Sequence, residues 1–229
     1  MSGRSLDGLD IAIVDFQDSG DWELQYSDTI AYSPRWVDAL KNYAHLSAQE
    51  YIVFKSDYSY YVASLLRDVL RKSAQQIDFL SFHGHTLMHL PGLGVTEQIG
   101  NGGILAAVLN ISTLTDFRVQ DVAKDGEGTP LAPLVETQLF HGHTYYLNLG
   151  GIANLTKVSA DGNLTAYDVC PCNQVLNQYS QLLGQAYDDG GRLARKGQIH
   201  KEVLAYLNRE SYFHQDAPKS LDNNWIIHD

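Results

Sequence analysis

Met1-Ser-Gly-Arg-Ser-Leu-Asp-Gly-Leu-Asp10 runs straight into Ile11-Ala-Ile-Val14 at the head of the chain. Glycines 3 and 8 are packed among the hydroxyls of Ser2 and Ser5 and the carboxylates of Asp7 and Asp10. Glycine lets a backbone approach an anion closely and adopt positive φ. Consecutive N–H groups and small hydroxyls then ligate phosphate oxygens, and a carboxylate holds the metal that travels with them. A polar turn ahead of a strand fits the same residues, because a short glycine-containing stretch is weak evidence alone.

A second stretch follows the same plan. Thr144 to Leu149 reads as a strand that runs into Gly150-Gly151-Ile-Ala-Asn154. Paired glycines again permit close backbone approach, and Asn154 offers a donor to phosphate; a bulge or tight hairpin fits equally. Two such turns in one chain favour a nucleotide gripped between two α/β lobes. The domain reading is 1–128 and 129–229, with the boundary near 128–143.

Between these landmarks, residues 9–16 and 22–32 read as strands of a hairpin about Asp18-Ser-Gly20. Ser33-Pro34 opens a helical stretch, and 57–72 is a helix with apolar residues at 3.6-residue spacing. Ile77 to Phe82 reads as a buried strand reaching a functional edge. A helix over 103–110 and a strand at 113–115 follow, and Pro130 suits the first turn of a helix through Phe140. In the second half, Ser159 to Asn163 is a hairpin turn. The next strand ends at Asp168, an amphipathic helix spans 172–183 with Gly184 closing it, and a final helix covers 198–208.

Composition narrows the function. The net charge of −11 over 229 residues opposes a phosphate-backbone partner, so nucleic acid is not expected. It leaves room for a single nucleotide held by backbone amides and Mg²⁺. No targeting signal, long apolar run or lipidation motif is read, so a cytoplasmic protein without membrane partners is expected. Cys170 and Cys172 are separated by one proline; a disulfide across that spacing is strained and two thiols do not complete a zinc site.

Three further groups carry chemistry. Asp168 at a strand end, ahead of Cys-Pro-Cys-Asn173, is placed as a general base, or simply as an acid at a helix N-terminus. His83-Gly-His85, with His89 beyond, is spaced for a metal, which keeps a metal-dependent hydrolase on His83 and His85 as an alternative. Asp116-Phe-Arg118 with Asp121 offers a guanidinium for a carboxylate or a structural ion pair.

These residues together resemble the anhydro-N-acetylmuramic acid kinases, bacterial enzymes of the hexokinase and actin-like ATPase superfamily. The matching stretches are Met1 to Asp10, His83-Gly-His-Thr86, Gln98-Ile-Gly-Asn101, Asp116-Phe-Arg118 with Asp121-Val-Ala, Leu147 to Asn154, Asp168 to Asn173 and Ala217-Pro-Lys-Ser220. They keep family order across nearly the whole chain. The resemblance implies an α/β fold of two related ribonuclease-H-like or actin-like lobes with mixed sheets, the second lobe incomplete. It implies ATP and Mg²⁺ as cofactors and a 1,6-anhydro amino sugar as substrate, and it allows a homodimer. It puts the base on Asp168 and the phosphate loop on Gly3, Arg4, Ser5, Leu6, Asp7, Gly8, Leu9 and Asp10. The second phosphate turn falls on Gly150, Gly151 and Asn154, and the sugar side on His83, Asp116, Arg118 and Asn173. No protein-held metal is implied beyond the Mg²⁺ carried with ATP.

Departures accompany the resemblance. Arg4 stands where the family usually has Thr, and Phe82 where Ser is usual. Asp125-Gly-Glu-Gly-Thr-Pro130 replaces a Gly-Gly-Gln-Gly-Ala-Pro run, and Val169-Cys-Pro-Cys172 a Thr-Gly-Pro-Gly turn. The resemblance implies a strand ahead of Met1 and more of the second lobe beyond Ser220, so a fragment of low activity is expected, with a non-catalytic sugar- or phosphate-binding remnant as a further alternative.

Overall fold

The computed structural model describes residues 6, 8–73, 75–126, 128, 131–140 and 142–221. Ser2, Gly3, Arg4, Ser5 and Asp7 of the expected phosphate loop lie outside the described residues, as do Glu127, Thr129 and Pro130 of the 125–130 run and His141. The fold is mixed α/β with small sheets, and the chain divides into two compact units, Met1–Thr129 and Pro130–Asp229.

The first unit opens with β1 (Gly8–Phe16) and β2 (Trp22–Ala31), an antiparallel hairpin with a register shift at Ile13/Val14. Gly20 turns the chain at φ 90°. Gly8 is required by this sheet, since a Cβ there would overlap the carbonyl oxygen of Ile30. α1 (Pro34–Lys41) has proline in its first turn, where the missing N–H has no helical partner to lose.

α2 runs from Ala48 to Ser73, nine residues earlier than periodicity predicts. Its start is set by a capping box. Ser47 Oγ and N–H donate to Glu50 Oε2 at 2.6 and 2.8 Å, which satisfies the helix end locally. The buried face of α2 carries Tyr58, Ser59, Val62, Ala63, Leu66 and Val69. Leu9, Tyr32, Leu40, Phe82, Ile99 and Leu105 complete the core against it. Within that core the hydroxyls of Tyr32 and Tyr58 lie 2.7 Å apart. Trp36 stacks on Tyr61 with ring centroids at 4.7 Å.

β3 (Phe79–Ser81) pairs in parallel with β6 (Ser112–Leu114). A buried strand is predicted there, but Phe79 is 53% exposed, because a two-stranded sheet screens too little of its surface. Between them lies a hairpin that periodicity does not reveal: β4 (His85–Leu90) and β5 (Val95–Ile99), turned by Gly94 at φ 69°. α2 pins this hairpin through Glu97 Oε1, which accepts from Tyr51 Oη at 2.6 Å and Lys55 Nζ at 2.8 Å. α3 (Gly102–Leu109) is capped by Asn101, whose Oδ1 accepts from Gly103 and Ile104 N–H. α4 (Val119–Val122) is a single turn.

The second unit begins with α5 (Ala132–Leu139) and a three-stranded antiparallel meander, β7 (Tyr145–Leu149), β8 (Ile152–Val158) and β9 (Leu164–Pro171). β9 extends three residues beyond the predicted end at Asp168 and finishes on a proline, which an edge strand tolerates. α6 (Asn173–Leu182), α7 (Arg192–Lys196) and α8 (Lys201–Leu207) follow. Apolar side chains on α6 and around α8 stay uncovered, with Leu182 80% and Ile199 82% exposed.

Candidate active site

In the second unit, Asn148, Asn154 and Asp168 are register partners across β7, β8 and β9 and so form one transverse polar row. The row lies beside the Gly150–Gly151 turn. Asp168 is therefore an interior strand residue, and not the first acid of a helix as its sequence position suggests: α6 starts five residues later, with Cys172 as its N-cap. The reason is continued pairing of β9 with β8 through Pro171.

A second segment holds Asp168. Its N–H donates to the Lys219 carbonyl at 3.0 Å, and its carbonyl accepts from Tyr212 Oη at 2.7 Å. Its Oδ2 accepts from the Leu221 N–H at 2.9 Å and Ser220 Oγ at 3.2 Å. Oδ1 accepts no hydrogen bond among the described residues, so one carboxylate oxygen is fixed and one is presented. Tyr212 is buried; burial, then the nearby charges of Asp168 and Cys170, push its hydroxyl well above the usual phenol range and keep it a donor. Burial and Cys172 likewise push the Cys170 thiol up, and both cysteines are free.

The Gly150–Gly151 turn is tied to the start of α6. The carbonyls of Leu149, Gly150 and Gly151 accept from Asn173 Nδ2, Asn173 N, and Cys172 and Gln174 N, all at 3.0–3.1 Å. Neither glycine adopts a positive φ, so backbone freedom is not the reason for glycine here. A Cβ would meet protein atoms only at ordinary distances, 3.6 Å and beyond. Their N–H groups donate to no described residue. Among the described residues the carbonyls of the turn are thus taken and its two glycine amides are not, a pattern that suits an anion such as a nucleotide phosphate. Asn173, expected on the sugar side, commits its Nδ2 to this stitching.

In the first unit, Arg118 and His83 are in direct contact. Arg118 Nε donates to His83 Nε2 at 2.9 Å, and its Nη1 donates to the Gly128 carbonyl at 2.9 Å. His83 Nδ1 lies 3.0 Å from the Gly84 carbonyl. An accepting Nε2 and a donating Nδ1 define the neutral tautomer. Burial, aided by the Arg118 charge and opposed by the Gly84 carbonyl, holds the imidazole below its usual pKa. Asp121 Oδ2 accepts from Gly128 N–H at 2.7 Å and braces the same loop. Asp116 is exposed, sits at φ 62°, and accepts from Thr115 Oγ1 at 2.8 Å.

The metal-dependent hydrolase reading would need His83 and His85 as ligands. Both ring nitrogens of His83 are engaged, and His85 is buried at 4% exposure. No group of three potential metal ligands occurs among the described residues.

Of the expected phosphate loop, Leu6 is left-handed at φ 58° and packs against the core. Leu9 is buried in the core and paired with Ile30, so the described structure presents no part of it to a phosphate. Asp10 accepts from Thr29 Oγ1 at 2.7 Å, across the hairpin from its register partner. The sequence reading assigns no role to Asn148, Tyr212, Lys219 or Ser220. The signal for the last two was present in Ala217-Pro-Lys-Ser220, a matching stretch without an assigned chemistry.

Comparison with known proteins identifies the family. The family model described as anhydro-N-acetylmuramic acid kinase matches residues 1–225. The chain is 33% identical to the anhydro-N-acetylmuramic acid kinase of Methylorubrum extorquens, covering 100% of this chain and 68% of that protein. It is 34% identical to that of Zymomonas mobilis, covering 98% and 67%, and 34% identical to that of Paramagnetospirillum magneticum, covering 98% and 65%. The chain spans about two thirds of the length of these curated relatives.

Proposed function

The chain belongs to the anhydro-N-acetylmuramic acid kinase family, and we propose that it binds ATP and 1,6-anhydro-N-acetylmuramic acid as part of peptidoglycan recycling in the cytoplasm. The family is one of sugar kinases, phosphotransferases with an alcohol acceptor. In the proposed reaction water adds to C1 as the C1–O6 bond breaks. O6 takes the γ-phosphoryl group as its bond to the bridging oxygen breaks, giving N-acetylmuramic acid 6-phosphate and ADP. ATP supplies the phosphoryl group and carries Mg²⁺.

The residues divide that work. Asp168 takes the proton of the attacking water on Oδ1, the oxygen that its neighbours leave open. Gly150, Gly151 and Asn154 hold phosphate through amides, and phosphate contacts are also assigned to Gly3, Arg4, Ser5, Leu6, Asp7, Gly8, Leu9 and Asp10. His83, Asp116, Arg118 and Asn173 form the sugar side, with His83 orienting the Arg118 guanidinium through Nε2. Positioning and charge stabilisation are what phosphoryl transfer asks of a protein. The single observation that supports the reading is the row Asn154–Asp168 on the sheet whose β7–β8 turn is Gly150–Gly151, consistent with a base and a phosphate site on one sheet.

Ligand binding without turnover is the second reading, favoured by the uncovered apolar side chains of α6 and α8. Calorimetry with each ligand and an assay of sugar-dependent ADP release by the purified 229-residue chain separate the two. Sugar binding with slow or no ADP release fits the low-activity reading. ATP hydrolysis indifferent to the sugar would instead indicate an ATPase of the same superfamily, and no binding of either ligand sinks the proposal. Size-exclusion chromatography tests the proposed homodimer.

A further inference from the structure

Asp168 is gripped by a segment more than forty residues further along the chain, and the grip is asymmetric. Leu221 N–H and Ser220 Oγ both end on Oδ2, at 2.9 and 3.2 Å. The main chain of Asp168 is fixed at the same time, its N–H to the Lys219 carbonyl and its carbonyl to Tyr212 Oη. Rotation of the carboxylate is thereby opposed at the tip and at the base.

The segment is itself closed by Lys219. Its Nζ donates to the Tyr212 carbonyl at 2.9 Å and the Gln215 carbonyl at 3.0 Å, and it sits 4.7 Å from the centroid of the Tyr212 ring. Two backbone acceptors and an aromatic face hold one cation, which makes residues 212–219 a loop with a lock. Tyr212 is buried and Lys219 is half-buried, so water competes less for the bond to the Tyr212 carbonyl than for the exposed one to Gln215. A loop that served only to cover the sheet would need none of this polar closure.

We propose that Tyr212, Lys219 and Ser220 are positioning residues: they form a bracket that occupies Oδ2 of Asp168 and directs Oδ1 at the water of the ring-opening step. The proposal rests on the reading of Asp168 as general base, and it adds residues that act through that aspartate. Ser220 sets the carboxylate rotamer, Tyr212 anchors the strand beneath it, and Lys219 keeps the loop closed.

Two measurements on the full chain test it. Amide hydrogen exchange reads the bracket without any need for turnover. Asp168→Ala is expected to speed exchange at the Leu221 amide about tenfold or more, and Lys219→Met to speed it at both Asp168 and Leu221, while β8 amides such as Leu155 keep their protection. Leu221 exchange indifferent to Asp168→Ala overturns the bracket, and a chain without turnover is judged on this result alone. Where turnover is measurable, Ser220→Ala lowers kcat about tenfold, the value of one hydrogen bond to a charged group, and leaves the sugar KM within about twofold. Ser220→Thr restores the rate, and Ser220→Ala adds nothing in an Asp168→Asn background. An unchanged kcat in Ser220→Ala, or an equal loss in both backgrounds, overturns the positioning role. Wild-type kcat in Asp168→Asn with the exchange signature intact removes the base assignment and leaves the bracket standing, so the two failures are distinguishable.

Discussion

Arg118 Nε donates to His83 Nε2 at 2.9 Å, a contact that favours the neutral imidazole as an acceptor. Burial first, then the Arg118 charge, lower the His83 pKa below its ordinary 6.5, with the Gly84 carbonyl opposing. Below that pH the unfolded chain takes up a proton that the folded chain resists. The stabilisation is complete above 6.5 and is lost as pH falls through the folded value. Urea midpoints measured from about pH 7.5 down to 5 are expected to fall more steeply for the wild type than for His83→Gln. Parallel profiles would show that His83 does not resist protonation.

Two glycines of the expected phosphate turns should respond oppositely to alanine. Gly8→Ala drives a Cβ into the Ile30 carbonyl and forces the β1–β2 hairpin apart, at a cost of about 1–3 kcal/mol read as a lower unfolding midpoint. Gly151→Ala meets nothing closer than Gln174 Cβ at 3.8 Å, so the fold is unchanged. Its expected defect is weaker ATP binding, seen by calorimetry, because the methyl group shields an amide meant for phosphate.

Asp168→Asn keeps the size of the side chain and the hydrogen bonds of its main chain. With the base removed, sugar-dependent ADP release is expected to fall by about 10²–10⁴-fold, the usual worth of a positioned base. ATP affinity should stay within about twofold of wild type. A rate unaffected by the substitution assigns the proton transfer elsewhere.

Phe82 fills the space beside Gly100, where any Cβ would overlap its ring, and it is buried at 4% exposure. Phe82→Ser restores the residue usual in the resemblance pattern yet empties a core site of this chain. Denaturant unfolding is expected to show a loss of about 3 kcal/mol or more. A neutral outcome would mean that the site collapses around the smaller side chain.

Elements stated by strong periodicity or by turn chemistry were legible in advance. The β1–β2 hairpin about Gly20, the body of α2 and the turn at Ser159–Asn163 match their sequence patterns. The start of α2 needed side chains reading each other across three positions, Ser47 and Glu50, a signal that apolar spacing does not contain. The β4–β5 hairpin was hidden because its alternation is broken by a register shift between Thr86 and Met88. At the site, Asp168 and the glycine turn were visible as residue types. The bracket was not, because Tyr212 and Lys219 acquire meaning only when chain separated by more than forty residues folds back on β9. The placement of Asp168 within a strand also depended on pairing continuing through Cys170 and Pro171, against the usual message of proline.

Four hydrogen bonds from residues 172–174 end on three successive carbonyls of the Leu149–Gly151 turn. Turn and helix are in that sense one lever: the glycines cannot shift toward or away from an anion without carrying the first turn of α6 with them. The same helix leaves Leu176, Tyr179 and Leu182 exposed. The rigid unit of the second half is therefore neither the hairpin nor the helix alone but the join between them, and Cys172 to Gln174 belong to the turn as much as to the helix.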